Sequence, residues 1–457
     1  MKFLPLGGAG DIGASCYYIE LAHTGIVLDC GMHPRKIGAE ALPRLELLRE
    51  RPVDAVLITH AHQDHLDALP FLVQAAPHVR IVTTPQTRAL AELTLHNAAG
   101  ILQEQYADDP EITPYSHQEI DLLVQSIEWR TYRERFQIAG YRHQSPELVE
   151  ASFHDAGHIL GSACTLLRHG GQSIFFTGDI NMSAQRLLVG STLPDEHVDT
   201  LVLECTHGAT ESQTLPPWNI EAKRLAKEAN AVFGRKGSIL IPVFALGKMQ
   251  EMLATVFGLM NKGAIPRVPV YTGGLGKKIC MVYDKNRYVV PVADPGVELL
   301  QLPQQNIFDV QRPDDFFMSP CIVLAASGMV VERTTSFGLA KRWLSQKGSA
   351  IFTVGYMDPN TPGYRIVSAR RGDMLSLTDA HAPQKVECDI VPFRFSAHSR
   401  REELLSIVDR LRPNRVILVH GDEPAIHWMG NAILEAYPAT KVHTAEIGKE
   451  IDILQSQ

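Results

Sequence analysis

The chain has no long apolar run. Its start, MKFLPLGGAGDIG, carries no hydrophobic stretch behind a basic end, and no later segment is long enough to span a bilayer. A secretory leader and a membrane-spanning helix are therefore not expected. Cysteine is scarce. The seven residues, Cys16, Cys30, Cys164, Cys205, Cys280, Cys321 and Cys388, are scattered, odd in number and form no CxxC pair. That argues against a disulfide framework and favours small buried hydrophobes in a reducing cytoplasm. A surplus of positive charge is also missing: 43 Lys and Arg stand against 51 Asp and Glu, a formal net charge of -8. This is a poor match to a protein that grips duplex through a broad basic face. A local cleft with metal ions and a few arginines can still hold a phosphate backbone while the rest of the surface stays acidic. There is no internal repeat and no low-complexity segment.

What is present points to an α/β fold. At 457 residues the chain exceeds what one core usually serves, so two domains are expected. Short apolar runs alternate with helical patterns. GIVLDCG runs out at Asp29, DAVLITH at His60, SIFFTGD at Asp179, DTLVLE at Glu204 and RVILVH at His420. Each of these strand candidates ends in a residue that binds metal or moves protons. In α/β sheets, sites gather outside the carboxyl ends of strands, so five such endings suggest one sheet edge carrying a site.

The stretch 206–395 has its own signals: SILIPV (238–243), VPVY, CIVLAAS and AIFTV as strands, and a helical pattern through Met249, Met252, Leu253 and Val256. It reads as a second α/β domain inserted into the first, which spans 1–205 and resumes over 396–457. Just past it, Ser399 and Glu402 have capping-box spacing, and Leu404, Ile407, Val408 and Leu411 recur at helical period. His398 thus precedes a helix start. The charged segment 100–150 reads as helical and as a shaper of the cleft.

The strongest motif is THAHQDHLD (59–67), which supplies His60, His62, Asp64 and His65 directly after a strand. Imidazole and carboxylate suit zinc. Four such residues exceed what one catalytic zinc with an open water position takes, so two metals are expected. His158 in HDAGHILGSA and Asp179 in FTGDI are the natural further ligands, with His154 and Asp155 as nearby competitors. A carboxylate such as Asp179 can bridge two cations. Asp29 either orients a ligating histidine from behind or is a solvated strand-end aspartate.

THAHQDH resembles the HxHxDH signature of the metallo-β-lactamase superfamily, and Asp29, the His60–His65 loop, His158 and Asp179 follow that superfamily's motifs in order. Glu204 in LECTHG, His398 in FSAHS and His420 in VHG resemble the three further motifs of the β-CASP nucleases. IPVFALGKMQEML, ASGM and VGYMDPNTPGYRI resemble parts of the β-CASP insertion. The resemblance covers nearly the whole chain. It implies a metallo-β-lactamase αββα sandwich with an inserted α/β domain. It also implies that His60, His62 and His158 bind one zinc, that Asp64, His65 and His420 bind the other, and that Asp179 bridges them. His398 is then the general acid, oriented by Glu204, with Asp64 counted among the catalytic groups. One departure is the motif after Glu204, usually Ser-Thr-Tyr-Gly and here Cys205-Thr206-His207-Gly208.

The expected reaction is zinc-dependent hydrolysis of RNA phosphodiester bonds in RNA processing or decay. A two-metal-activated hydroxide attacks in line, leaving 5′-phosphate and 3′-hydroxyl ends. Single-stranded RNA is the expected partner. Single-stranded DNA and a second copy of the chain are further candidates, and no membrane is expected. Arg365, Arg370, Arg371, Arg394, Arg400 and Arg401 are candidates for phosphate contacts, and Tyr356 and Tyr364 for base stacking. The alternatives are a DNA nuclease of the same family and a small-molecule hydrolase of the superfamily.

Overall fold

The computed structural model describes residues 1–105, 113–141 and 148–453. Contacts divide the chain into two compact units. The first holds residues 1–183, 190–212 and 397–457; the second holds 184–189 and 213–396.

The first unit is built on two seven-stranded sheets. One runs in the order Ile451–Asp452, Lys2–Gly7, Cys16–Leu21, Thr24–Leu28, Ala55–Leu57, Arg80–Thr83, Glu128–Trp129. The other runs Lys441–Thr444, Arg415–Val419, Thr200–Glu204, Gln172–Phe176, Ala163–His169, Val149–Asp155, Arg135–Ile138. Each sheet has an antiparallel half and a parallel half. The inner strands Ala55–Leu57, Thr200–Glu204 and Arg415–Val419 of the parallel halves are buried along their whole length, because both their faces are covered.

Residues of both sheets share one core, among them Phe3, Tyr17, Ile19, Phe153, Phe176 and Ile417. A second core lies on the other face of the second sheet. There Leu404, Ile407 and Val408 of helix Arg401–Leu411 and Ile426, Met429 and Ile433 of helix Glu423–Ala436 meet Phe175, Leu201 and Leu203. Burying a Leu or Ile side chain contributes about 1.5–3 kcal/mol, so the spacing of these apolar residues along the helix fixes which face turns inward.

Helix Arg401–Leu411 starts later than Ser399–Glu402 spacing predicts. Glu403 reaches back to the backbone N–H of Arg400 at 2.8 Å. Ser399 is buried, and its hydroxyl accepts from Met182 N–H and donates to the Ile180 carbonyl, both at 3.0 Å. Tertiary partners thus take the side chain that local spacing assigns to a cap. The segment 100–150 is helical only in part. Helices Pro85–Gln105 and His117–Ser126 are followed by strands Glu128–Trp129 and Arg135–Ile138. Arg135–Ile138 alternates exposed and buried residues, the period of a strand. The charged stretches 106–112 and 142–147 lie outside the described residues.

The second unit has a six-stranded, all-parallel sheet in the order Gln304–Asn306, Val270–Thr272, Ile322–Ala325, Ile239–Pro242, Ala350–Thr353, Asp389–Pro392. The helix expected around Met249 runs Lys248–Asn261. Its buried Glu251 accepts the backbone N–H groups of Arg186, Leu187 and Leu188 at 2.8, 2.8 and 3.2 Å. That contact places 184–189 in the second unit, although in sequence they belong to the stretch assigned to the first. Among the described residues no helix is long and apolar enough to cross a membrane.

Candidate metal centre

The expected metal ligands, with Asp29, Glu204 and His398, all fall within the first unit, most of them just beyond the carboxyl ends of its parallel strands. Asp29 directly follows Thr24–Leu28, Glu204 is the last residue of Thr200–Glu204, and His420 directly follows Arg415–Val419. His60 lies three residues past Ala55–Leu57 and Asp179 three past Gln172–Phe176. The motif loop leads into a single helical turn, Gln63–Leu66, which carries Asp64 and His65, with His62 at its N-cap.

Three imidazoles converge first. His62 Nδ1 lies 3.1 Å from His60 Nε2 and 3.1 Å from His158 Nε2. The Nδ1 of His158 is 2.8 Å from the Ala397 carbonyl, which fixes that nitrogen as the N–H and leaves Nε2 as the lone pair. Burial and the neighbouring imidazoles hold His60 and His158 well below the ordinary histidine pKa, so both rings are neutral, as metal ligands must be. A second group forms beside the first. His420 Nε2 is 3.3 Å from Asp64 Oδ2, and His65 Nε2 is 3.9 Å from the same oxygen.

Asp179 stands between the groups and divides its two oxygens. Oδ2 is 3.6 Å from His60 Nε2 and 3.6 Å from His158 Nε2. Oδ1 is 3.2 Å from His65 Nε2 and 3.2 Å from His420 Nδ1. Although buried, Oδ1 makes no hydrogen bond. A buried anionic oxygen without a hydrogen bond is costly unless a cation takes it. That orphaned oxygen, and a donor set of imidazole and carboxylate with no thiolate, fit metal ions of the kind such ligands prefer.

Behind the second group, buried Asp29 holds the ring of His65. Its Oδ2 accepts His65 Nδ1–H at 2.8 Å, and Thr59 donates its backbone N–H and hydroxyl at 2.7 and 2.8 Å. Asp29 adopts a left-handed φ of 58°, which Asn and Asp tolerate better than other side chains. Asp29→Asn keeps the shape and removes the charge. The variant should bind metal about 10–100-fold more weakly, read as metal retained against a competing chelator; an unchanged chelator titration would show that Asp29 has no part in orienting His65.

On the open side, His398 Nδ1 lies 3.0 Å from Glu204 Oε1, and its Nε2 is 4.0 Å from Asp179 Oδ2. Burial works against protonation of this ring, but the Glu204 and Asp179 carboxylates outweigh it and raise its pKa. Glu204 is fixed in turn by the backbone N–H groups of Ile180 at 3.0 Å and Thr206 at 2.9 Å. His207 sits edge-on to His398, ring centroids 5.9 Å apart.

The competitors stay apart from the cluster. Asp155 accepts Gly157 N–H at 2.9 Å, His154 packs against Phe175, and neither joins a potential metal group among the described residues. Two hydroxyls carry no sequence signal yet touch the site: Thr59, above, and Thr206, whose Oγ1 is 3.1 Å from His420 Nδ1. Of the arginine candidates, Arg400 and Arg401 lie in the first unit and pair with Glu403 and Glu402. Arg365, Arg370, Arg371 and Arg394 lie in the second unit, with Tyr356 and Tyr364 exposed there. Arg365 pairs with Asp379 and Arg371 with Asp389.

Known families match this chain in the same order. The metallo-β-lactamase superfamily matches residues 9–131, the Beta-Casp domain 249–366, and the Zn-dependent metallo-hydrolase RNA specificity domain 383–445. Among relatives, the cleavage and polyadenylation specificity factor subunit 3 of Dictyostelium discoideum is 28% identical over 97% of this chain and 56% of its own length. An RNase J-like protein of Methanocaldococcus jannaschii is 27% identical over 91% of each chain. This chain spans 56–63% of the length of the three cleavage-factor relatives it matches. A crystal structure of a protein of unknown function from Enterococcus faecalis V583 aligns over 98% of this chain and 99% of that one, with a TM-score of 0.58 at 14% identity, which shows a shared fold. With its three matched domains in this order and its candidate metal-binding groups in the first unit, the chain belongs to the β-CASP group of the metallo-β-lactamase superfamily.

Proposed function

We propose that this chain is a zinc-dependent ribonuclease that hydrolyses single-stranded RNA to 5′-phosphate and 3′-hydroxyl ends. The observation that carries the reading is the placement of Asp179, with one oxygen toward each of two donor groups and the His398–Glu204 pair alongside. The names of the relatives, a cleavage and polyadenylation factor and an RNase J-like protein, and the description of the third matched domain as an RNA specificity domain support RNA as the substrate.

His60, His62 and His158 would hold one ion, Asp64, His65 and His420 the other, with Asp179 shared. When bound, such a pair of ions lowers the pKa of water toward about 7 and polarises a phosphate oxygen. The remaining steps belong to the chain. Asp29 and the Ala397 carbonyl fix the rings of His65 and His158, so their lone pairs need no reorganisation. Glu204 accepts His398 Nδ1–H, keeping the ring protonated and turned so that Nε2–H faces the site. As the P–O3′ bond breaks, that proton passes to the departing oxygen and a 3′-hydroxyl results; the water oxygen remains on the 5′-phosphate. The ribose 2′-hydroxyl takes no part, so RNA is selected by contacts and not by the chemistry.

Labelled single strands of RNA and DNA with identical sequence test this reading. RNA should be cut, chelation should abolish cutting, zinc should restore it, and the new 5′ ends should carry phosphate. Full activity after exhaustive chelation, or products ending in a 2′,3′-cyclic phosphate, would overturn it. Faster cleavage of the DNA strand would move the assignment to the DNA-nuclease alternative.

A further inference from the structure

Two loops knitted to the metal-binding turn carry a basic cluster that the reaction does not use. The first, residues 8–15, joins strands Lys2–Gly7 and Cys16–Leu21. At one end the Gly8 carbonyl accepts His420 N–H at 2.8 Å; at the other, Ser15 N–H donates to the Asp64 carbonyl at 2.8 Å. Both anchors are therefore the backbones of candidate metal ligands. The second loop, residues 30–36, is tied down as firmly. Cys30 N–H donates to the His65 carbonyl at 2.9 Å, Met32 N–H to the Gln63 carbonyl at 3.0 Å and Gly31 N–H to the Ser15 carbonyl at 3.0 Å. A Cβ on Gly31 would sit 1.9 Å from the Asp64 backbone, so no other residue allows this approach.

The loops meet at Asp11. Its Oδ2 lies 2.9 Å from His33 Nε2 and 3.6 Å from Lys36 Nζ, and its Oδ1 is 2.6 Å from Arg35. His33 is 4% exposed, and its Nδ1 accepts the backbone N–H groups of Arg35 at 3.2 Å and Lys36 at 3.3 Å. A ring nitrogen that accepts cannot carry a proton, so Nε2 holds the N–H and donates it to Asp11. The cluster holds two permanent cations, Arg35 and Lys36, against one carboxylate. Its backbone is aimed by a buried ring held by Asp11 on one nitrogen and by two backbone N–H groups on the other. Partial burial of Asp11 opposes ionisation, but the His33 hydrogen bond and the Arg35 guanidinium hold its carboxyl well below the usual range. Its charge is already committed to the groups beside it. In a chain of net charge -8, such a fixed cationic edge beside the metal turn is out of keeping with the surface average.

The geometry points to Arg35 and Lys36 as a phosphate subsite that grips the backbone of the nucleic-acid strand next to the phosphodiester being cut. Asp11 is three residues from Gly8 and four from Ser15, so the cluster stands at most about 14 Å of chain from either anchor. A guanidinium offers forked donors and an ammonium a point charge, the two modes by which proteins hold phosphate oxygens without reading base identity. The subsite rests on the ribonuclease reading above and adds to it where the strand runs.

The test is the salt dependence of kcat/KM on a labelled single-stranded RNA, measured with zinc-replete protein. Removing two phosphate contacts in Arg35→Ala/Lys36→Ala should raise KM about tenfold at low salt, with kcat little changed, and should lower the slope of log kcat/KM against log salt by about 1.4. The double variant Arg410→Ala/Lys449→Ala removes equal charge from the far end of helix Arg401–Leu411 and from the turn before Ile451–Asp452. It should keep the wild-type slope. Retention of zinc and an unshifted melting curve establish that both variants are folded. If the wild-type protein cuts RNA and the two double variants show the same slope, the subsite is wrong and the ribonuclease reading stands. If the wild-type protein does not cut RNA, both fall.

Discussion

Replacing His398 with alanine should slow RNA cleavage on the order of 10²–10⁴-fold, the usual share of a general acid, and leave both metals in place. The separation of effects follows from where the ring sits. His398 belongs to neither of the two histidine groups that converge on Asp179; it approaches only Asp179 Oδ2, at 4.0 Å, while its Nδ1 is engaged by Glu204 at 3.0 Å. Glu204 is almost wholly buried, and its oxygens are held by Ile180 and Thr206 N–H groups. It is therefore part of the framework, whereas the His398 ring is 21% exposed and, on the proposed reading, is the part that would face substrate. The backbone beside it is fixed as well, since the Ala397 carbonyl takes His158 Nδ1–H. Truncating the ring leaves that carbonyl where it is, so the candidate ligand His158 should keep its orientation. Zinc content, melting temperature and single-turnover cleavage measured on one preparation decide the matter. A zinc-replete variant with normal turnover would remove His398 from proton transfer.

The parts of this site differ in how they could be read from residues alone. The loop His60–His65 is continuous and follows a buried strand, so local spacing suffices to mark it. Asp29 and Asp179 are legible because each ends an apolar run. Glu204, His398 and His420 are separated by long stretches of chain, and spacing alone gives no reason to bring them together; the order of family motifs does. Thr59 and Thr206 could not be singled out, because a hydroxyl beside a strand end has the same local signature whether it supports an aspartate or faces water. Ser399 shows the converse: its spacing to Glu402 is that of a cap, but Ile180 and Met182, distant in sequence, claim the hydroxyl. The six residues 184–189 follow the same rule. Nothing in them announces that the buried carboxylate of Glu251 will collect three of their amides. Local pattern fixes elements; what a polar side chain does is decided by which distant group reaches it first.

That rule makes Asp179 the position with the largest consequence. Asp179→Ala should lose bound zinc and RNA cleavage together, in contrast to the His398 variant. Four histidine nitrogens stand within 3.6 Å of its two oxygens, two on each. Burial opposes its ionisation, but the rings of His420, His65 and His398 outweigh it and hold the carboxyl well below the usual range. Removing the carboxylate leaves these imidazoles with no anion between them, and two cations held by the remaining ligands would repel each other across a buried, poorly screened gap. Asp179→Asn separates charge from shape: the amide fills the same space, but its nitrogen has no lone pair to share, so at most one donor group keeps an oxygen ligand. The alanine variant should show little metal by elemental analysis after dialysis, and the asparagine variant no more than about one ion per chain. Two zinc ions per chain in Asp179→Ala would show that the carboxylate joins no metals, and the reading built on its two oxygens would have to be abandoned.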